Sequence, residues 1–374
     1  MSNSRKVIIY GANGYTGKLI AESLANRQIP FYFAGRNKEK LDKALDIVRD
    51  RLGENAWKLD AEVVSVDNSI EALTPVFSQC SVVIAVAGPF MQIGWPVVEA
   101  ALNANCHYMD TTGEQDWSLA IAEKFGQQFA AKGLLLAPAT SYMWAAGALA
   151  AEVVLEDPDI DSLDILYQID NGLPSEASTK SFLRMVCNDT SQYYIDQNEF
   201  KTWPNDKAYE VFLPYRNAKT VALPWGGACE PIWLKGRVRN CKVLTAMGEH
   251  MINPIMQAIA AFNAQAPNLD QAGKEALTNA IGDQINTGEP PKDHPDVQRS
   301  VIVVHGQGRL KTTRYAMNLS APYMWTGEIQ AECAHLLLTG QLIKPGFQSV
   351  ATGFDHRQLI RTFNALGYCS ALPN

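Results

Sequence analysis

The sequence has no basic excess: 32 Lys and Arg stand against 39 Asp and Glu, a net charge of −7. A surface that neutralises a phosphate backbone is not expected, which excludes nucleic acid as a partner. There is no Cys-x-x-Cys pair. The seven cysteines (Cys80, Cys106, Cys187, Cys229, Cys241, Cys333 and Cys369) are scattered, and the six histidines show no ligand spacing. A disulfide framework and a bound metal are therefore not expected, and a reducing, cytoplasmic setting is. No apolar leader precedes the first strand pattern at Val7, so no signal peptide is expected. Internal repeats and low-complexity tracts are also lacking. Only residues 133–151 are uncharged over a length that raises a transmembrane reading. Pro138, Thr140 and Ser141 interrupt that run. It is expected to fold as a buried strand over 134–137, a loop, and a buried helix from about 145 to 155, with no integral membrane segment. A peripheral contact with lipid stays open.

What the chain does have is length and apolar mass. At 374 residues and 47% hydrophobic it can bury a large core and build two domains. Up to about residue 140, short apolar runs at 7–10, 31–34, 63–66, 82–86, 107–109 and 134–137 alternate with helical patterns at 18–25, 40–51, 70–77, 96–103 and 116–131. That alternation predicts an α/β fold, a doubly wound parallel sheet of the Rossmann type. Beyond residue 155 the pattern becomes mixed α+β. Strands are expected at 163–169, 220–223, 232–235, 301–305 and 309–319, the last two joined as a hairpin through His305-Gly306-Gln307-Gly308. Helices are expected at 180–187, 252–264, 327–338 and 356–366, and a surface loop at 288–296. The expected domains are 1–140 for the nucleotide, 141–325 for substrate and dimerisation, and C-terminal helices over 326–374 that pack back on the first domain. A homodimer is the expected assembly.

The strand at 7–10 runs into Gly11-Ala12-Asn13-Gly14-Tyr15-Thr16-Gly17 and then a helix. Gly11 permits the tight turn, Gly14 lets backbone approach a diphosphate, and Gly17 lets the helix lie close to the sheet. The helix opening at Tyr15 and Thr16 aims free N–H groups at phosphate. Asn13 stands where the commonest fingerprint has its second glycine, a variant frequent in NADP-preferring folds. The second strand ends in Gly35-Arg36-Asn37-Lys38. An NAD site would want a carboxylate there. Arg36, with Asn37 and Lys38 beside it, suits a 2′-phosphate instead, so the expected cofactor is NADPH/NADP. Asp67 closes the third strand, either against adenine or as a helix cap. Ala87, Gly88 and Pro89 close the fourth, where small residues let backbone approach the nicotinamide ribose.

These motifs, together with Gly94-x-Pro96-Val97-Val98 and His107-Tyr108-Met109-Asp110-x-x-Gly113-Glu114, occur in an order that resembles the saccharopine dehydrogenase-like oxidoreductases, including the trans-acting enoyl reductases. The resemblance covers roughly residues 5–140 and weakens after that. It implies a Rossmann domain, a mixed α+β substrate domain and NADPH-linked reduction. The chain departs from the family after the sixth strand. There it reads Thr140-Ser141-Tyr142-Met143-Trp144-Ala145 in place of the family's Gly-Phe-Asp-Ser-x-Pro-like turn, so a different substrate is expected.

Tyr142 is the candidate catalytic proton donor, or else a packing residue under the cofactor. Ser141, Met143 and Trp144 are candidate substrate contacts. Asp110 and Glu114 are candidates for chemistry or for holding their loop. A Tyr-x-x-x-Lys spacing exists at Tyr215 and Lys219, but it follows Pro214 and runs into a strand pattern, so it reads as chance. The aromatic richness of residues 193–233 suits a hydrophobic small-molecule substrate. The leading expectation is reduction of a conjugated C=C bond, or a related C=O or C=N bond. The alternatives are a saccharopine-like imine reductase on amino acids and a non-catalytic NADP(H)-binding sensor.

Overall fold

The computed structural model describes residues 6–187, 192–204, 207–285 and 288–372. In chain order its elements are β1 (Val7–Tyr10), α1 (Tyr15–Asn26), β2 (Phe31–Gly35), α2 (Lys38–Leu52), β3 (Ala61–Ser65), α3 (Ile70–Phe77), β4 (Val82–Ala85), α4 (Phe90–Ile93), α5 (Trp95–Asn103), β5 (His107–Asp110), α6 (Gln115–Ala131), β6 (Leu135–Ala137), α7 (Gly147–Val154), β7 (Ile160–Asp170), α8 (Glu176–Val186), β8 (Tyr193–Asp196), β9 (Glu199–Thr202), β10 (Tyr209–Phe212), β11 (Lys219–Leu223), α9 (Glu230–Leu234), β12 (Asn240–Ala246), α10 (Glu249–Gln265), α11 (Gln271–Ile285), β13 (Arg299–Gly308), β14 (Thr312–Ser320), α12 (Pro322–Leu338), β15 (Gly346–Phe347), α13 (Val350–Gly353), α14 (His356–Ala365) and β16 (Cys369–Ala371). The chain divides into two compact units. One comprises Met1–Thr112, Leu119–Ala145 and Tyr323–Asp355; the other comprises Gly113–Ser118, Ala146–Pro322 and His356–Asn374. The C-terminal stretch 326–374 is thus shared between them.

The first unit holds a parallel sheet in the order β15-β6-β5-β4-β1-β2-β3. Read from β3, its first six strands run 3-2-1-4-5-6, the Rossmann order, with the reversal between β1 and β4. Helices cover both faces of such a sheet, so its central strands have no solvent side and need no alternation. Val7, Ile8, Ile9, Val82, Val83 and Ile84 accordingly show no solvent exposure.

The second unit holds a mixed sheet, β10-β11-β12-β7-β13-β14-β16, with β8 attached to β12 and β9 to β8. Only β7 and β12 pair in parallel among these. Here alternation returns: Leu163, Ile165 and Tyr167 are buried on one face, and Asp164 is exposed on the other.

Two sequence expectations are corrected in this unit. The apolar run 232–235 is not a strand; most of it lies in α9, where Pro231 occupies the first turn. Proline pre-sets a helical φ and lacks the N–H that a strand ladder needs. The hairpin of β13 and β14 forms, but His305-Gly306-Gln307-Gly308 is strand, not turn. His305, Gly306 and Gln307 pair with Arg314, Thr313 and Thr312. The two glycines serve close packing: a Cβ on Gly306 would collide with Val154, and one on Gly308 with the Asp159 carbonyl. The uncharged run 133–151 folds as β6, a loop, a kinked turn over Tyr142–Ala146 in which Met143 is not helical, and α7. Among the described residues no helix is long and apolar enough to cross a membrane.

Candidate cofactor site and substrate loop

β1 carries the chain to the carboxyl edge of the sheet, level with β2 and β4, since Tyr10 pairs with both Ala34 and Ala85. The turn that follows is clamped by two backbone bonds, Gly11 N–H and Ala12 N–H both donating to Ala34 O at 2.9 and 3.0 Å. Gly11 has φ +88°, and a Cβ there would sit 2.8 Å from Ala87 Cβ, so the turn lies directly against the loop after β4. A Cβ on Gly17 would lie 2.5 Å from Ala12 O, so that glycine brings α1 onto the turn.

Gly14 differs. As the N-cap of α1 its missing Cβ would meet only Gly11 O, at an ordinary 3.5 Å. Nothing among the described residues demands a glycine there. The vacant space lies at a helix N-terminus, whose first N–H groups have no intrahelical acceptor, and that is what an approaching diphosphate would use. Asn13 lies beside Gly35, Thr16 is half-buried in the first turn of α1, and Tyr15 is buried.

The end of β2 sorts its polar residues into different tasks. Asn37 caps α2, its Oδ1 accepting from Lys40 N–H at 2.9 Å. Lys38 reaches Asp42 one turn on, at 2.7 Å. Arg36 is exposed and makes no ion pair among the described residues. After β3, the cap of α3 is Ser69, which accepts from Ala72 N–H, so exposed Asp67 is not spent on capping. Arg36 and Asp67 bear on one spot. Burial raises the Tyr10 phenol above its ordinary pKa, the Arg36 charge pulls it down and the Asp67 charge pushes it up. Ala87, Gly88 and Pro89 are half-buried beside the glycine turn.

At the ends of β5 and β6 the structure assigns Asp110 to holding backbone. Its fully buried carboxylate accepts from Thr112 N–H at 3.0 Å, Ala139 N–H at 2.9 Å and Tyr108 Oη–H at 3.0 Å. The loop fixed in this way presents residues 139–146, none charged. Ser141 and Tyr142 are nearly buried, Trp144 is fully buried and Met143 is half-exposed. Ser141 Oγ–H donates to Met143 O. Tyr142 N–H donates to Thr326 Oγ1 at 3.0 Å. No feature of the sequence pointed to Thr326, because it lies far along the chain inside an apolar helix.

In the second unit, Glu114 is paired. The guanidinium of buried Arg184 donates to Glu114 Oε2 at 2.8 Å and Asp116 Oδ1 at 2.6 Å, and Ser181 Oγ–H donates to Glu114 Oε1 at 2.8 Å. A further buried acid was not anticipated. Glu230 is fully buried; its Oε1 accepts from Tyr167 Oη–H at 2.6 Å, and Tyr167 Oη in turn accepts from Gly147 N–H at 2.7 Å. Burial pushes the Glu230 carboxyl up to about 8, against the Tyr167 hydrogen bond, which lowers it.

Tyr215 and Lys219 share no helix: Tyr215 sits in a turn with φ +59° and Lys219 opens β11. Many of the unit's aromatics contact one another, Tyr194 tilted on Trp203 at 4.6 Å, Trp203 edge-on to Tyr209 at 5.1 Å and Phe182 tilted on Trp225 at 4.1 Å. A cavity of about 460 Å³ in this unit is lined instead by polar groups, among them Asp170, Asn171, Arg216, Asp296 and Arg299.

Residues 145–372 match the family described as Family of unknown function (DUF5938). The chain belongs to that family. Residues 7–131 of this DUF5938 member match the Saccharopine dehydrogenase NADP binding domain, which makes the cofactor class NADP(H). A mouse protein named Saccharopine dehydrogenase-like oxidoreductase is 30% identical over 139 residues, 35% of this chain and 32% of that protein. A Mycobacterium leprae protein named Trans-acting enoyl reductase is 36% identical over 112 residues, 29% of this chain and 25% of that protein. The chain thus spans a third or less of the length of these curated relatives. Saccharopine dehydrogenase (L-Glu forming) from Saccharomyces cerevisiae shares the fold over 99% of this chain and 100% of its own, with a TM-score of 0.62 at 10% identity. The DUF5938 chain therefore carries an NADP-binding domain similar to that of the saccharopine dehydrogenases, in a Rossmann-type sheet, and also holds a second mixed sheet.

Proposed function

We propose that this protein is an NADPH-dependent reductase acting on a conjugated C=C bond, in an enone or enoyl compound, or a related C=O or C=N bond, of a hydrophobic small molecule. One observation carries the reading. The carboxyl edge of a single sheet joins Arg36, whose guanidinium has no ion pair among the described residues, to a loop over 139–146 that has no charged side chain. The acids near that loop in sequence are spent: Asp110 holds backbone and Glu114 is bound by Arg184. Neither is left to recognise the ammonium of an amino acid. The enoyl reductase relative points to the same substrate class.

NADPH, when bound, supplies the hydride. The residues that would hold it are Gly11, Asn13, Gly14, Tyr15, Thr16 and Gly17 at the diphosphate, Arg36 at the 2′-phosphate with Asn37 and Lys38 flanking, Asp67 at the adenine, and Ala87, Gly88 and Pro89 at the nicotinamide ribose. Tyr142 would deliver the proton, with Ser141, Met143 and Trp144 shaping the substrate site. Two substitutions separate these roles. Arg36→Ala is expected to weaken NADPH by about 1.5–3 kcal/mol, the worth of a hydrogen bond to a charged group, and to leave NADH nearly unchanged in fluorescence titrations. Equal loss for both cofactors contradicts the 2′-phosphate role. Tyr142→Phe is expected to lower kcat by about 10²-fold, the scale of a lost general acid, without changing the NADPH Kd. An unchanged kcat removes Tyr142 from the chemistry.

The direct test is NADPH oxidation screened against enones, enals, ketosteroids and imines. Tight NADPH binding with no turnover across the panel would favour a sensor instead. A second reading, an imine reductase on amino acids, draws on the polar cavity of the second unit, which Arg216, Arg299, Asp170 and Asp296 line. Turnover with an amino acid plus a keto acid, and none with enones, would favour it.

A further inference from the structure

The helix α12 has two differently occupied faces within the first unit. One lies along α1. The Tyr323 ring stands edge-on to Tyr15 at 5.0 Å, at the start of α1. A Cβ on Gly327 would sit 2.8 Å from Leu19 O, one turn further, so the two helices touch backbone to backbone there. Glu328 then accepts from Ser23 Oγ–H at 2.8 Å and pairs with Arg27 at 2.5 Å, and Glu332 pairs with Arg27 at 3.2 Å. These contacts step along both helices by about one turn each, which holds α12 in a defined register on α1.

The other face lies under the ends of β5 and β6. Gln330, fully buried, donates from Nε2 to Asp110 O at 3.1 Å and to Thr140 O at 2.6 Å. Both neighbours are carbonyls, so the amide nitrogen must face them. Thr326, one turn earlier and 5% exposed, accepts Tyr142 N–H. Two residues on one helix stripe therefore hold three backbone groups that define the loop, while Asp110 holds the same loop from below through Ala139.

We propose that Thr326 and Gln330 are the positioning residues of this site: they set the loop over residues 140–144 against the helix that opens at the glycine turn. The proposal rests on the reading of that loop as the substrate loop. Gln330 is fully buried and Thr326 only 5% exposed, and both bond the protein's own backbone. They act through backbone, so their removal displaces Tyr142 while the cofactor contacts remain.

The test uses the whole chain with NADP⁺ bound. Hydrogen exchange of the segment 139–146 is followed by mass spectrometry, and kcat and KM are measured for NADPH oxidation with trans-2-decenal as probe. Thr326→Val keeps the shape and loses the acceptor; Gln330→Met keeps the length and loses both donors. In each, exchange of 139–146 is expected to rise by about tenfold or more, because the loop opens locally. The turnover number is expected to fall by about 10²-fold, the cost of a misplaced reacting group, with the NADPH Kd changed less than about twofold. Thr326→Ser is expected to restore both readouts, which a general loss of packing would not. Either of the two disrupting variants is sufficient should the other not fold. Wild-type exchange in both overturns the proposal, and so does faster exchange with an unchanged kcat. A wild type that binds NADPH and reduces neither trans-2-decenal nor any compound of the wider panel sinks the reductase reading, and the exchange result with its serine rescue then decides the positioning claim alone.

Discussion

Replacing Arg184 by methionine is expected to destabilise the second unit by roughly 3–5 kcal/mol, measured by urea unfolding at neutral pH. The size follows from what is left behind. Glu114 shows no solvent exposure and Asp116 is 8% exposed, and both accept hydrogen bonds from the same guanidinium. Methionine fills much of the volume but leaves two carboxylates facing each other in a medium that solvates neither. Glu275 lies 3.8 Å from the guanidinium as a third acid at its margin. Arg184→Lys keeps one charge but not the fork that reaches both acids, and is expected to recover only part of the loss. If the methionine variant unfolds within 1 kcal/mol of wild type, roughly the median worth of an exposed ion pair, the cluster is solvated in solution and the assignment is wrong.

Raising the pH from 5 to 9 is expected to cost the folded protein about 3–5 kcal/mol through Glu230 alone. The carboxyl ordinarily titrates near 4.5 and is driven by burial up to about 8 in the fold. Between those values the folded state holds a proton that the unfolded state has released. Stability from this group is thus complete below about pH 4.5, falls as pH rises, and is gone once the pH passes about 8. Glu230→Gln keeps the acceptor for Tyr167 and removes the titration. Its stability is expected to be flat in this term, so the difference between variant and wild type should grow toward pH 9. Parallel pH profiles for the two proteins would show that Glu230 is not the group being titrated.

Much of the first unit is legible in the sequence because its signals are local. The apolar runs of β1 and β4 mean burial on both faces, and the three glycines of the turn are each interpretable within seven residues. Arg36 could be singled out because it follows a strand end by one position. Asn37 and Lys38 carry further tasks that spacing did not show, a cap on α2 and an ion pair with Asp42. A cap and an i,i+4 pair are also local features, but which of several neighbouring polar groups takes which role depends on rotamers, not on spacing.

The second unit was less legible. β8, β9 and β10 are four-residue strands with mixed polarity, and β12 earns its place by pairing with β7, some eighty residues earlier in the chain. The turn misassigned at Gly306 shows the limit most clearly. A glycine needed for close approach to Val154 looks the same in sequence as a glycine needed for a turn.

By itself, the sequence determined the Rossmann sheet, the glycine turn and the basic residue that follows β2. Each depends on residues a few positions apart, whose conformation and burial follow from their own pattern. Only the tertiary structure decided that Asp110 accepts from the backbone of the loop at Ala139, that Glu114 pairs with Arg184, and that Thr326 and Gln330 bond the loop of Tyr142. Those partners lie from tens to nearly two hundred residues away in the chain. Whether a buried polar group is reactive or merely satisfied depends on the one neighbour that folding brings to it.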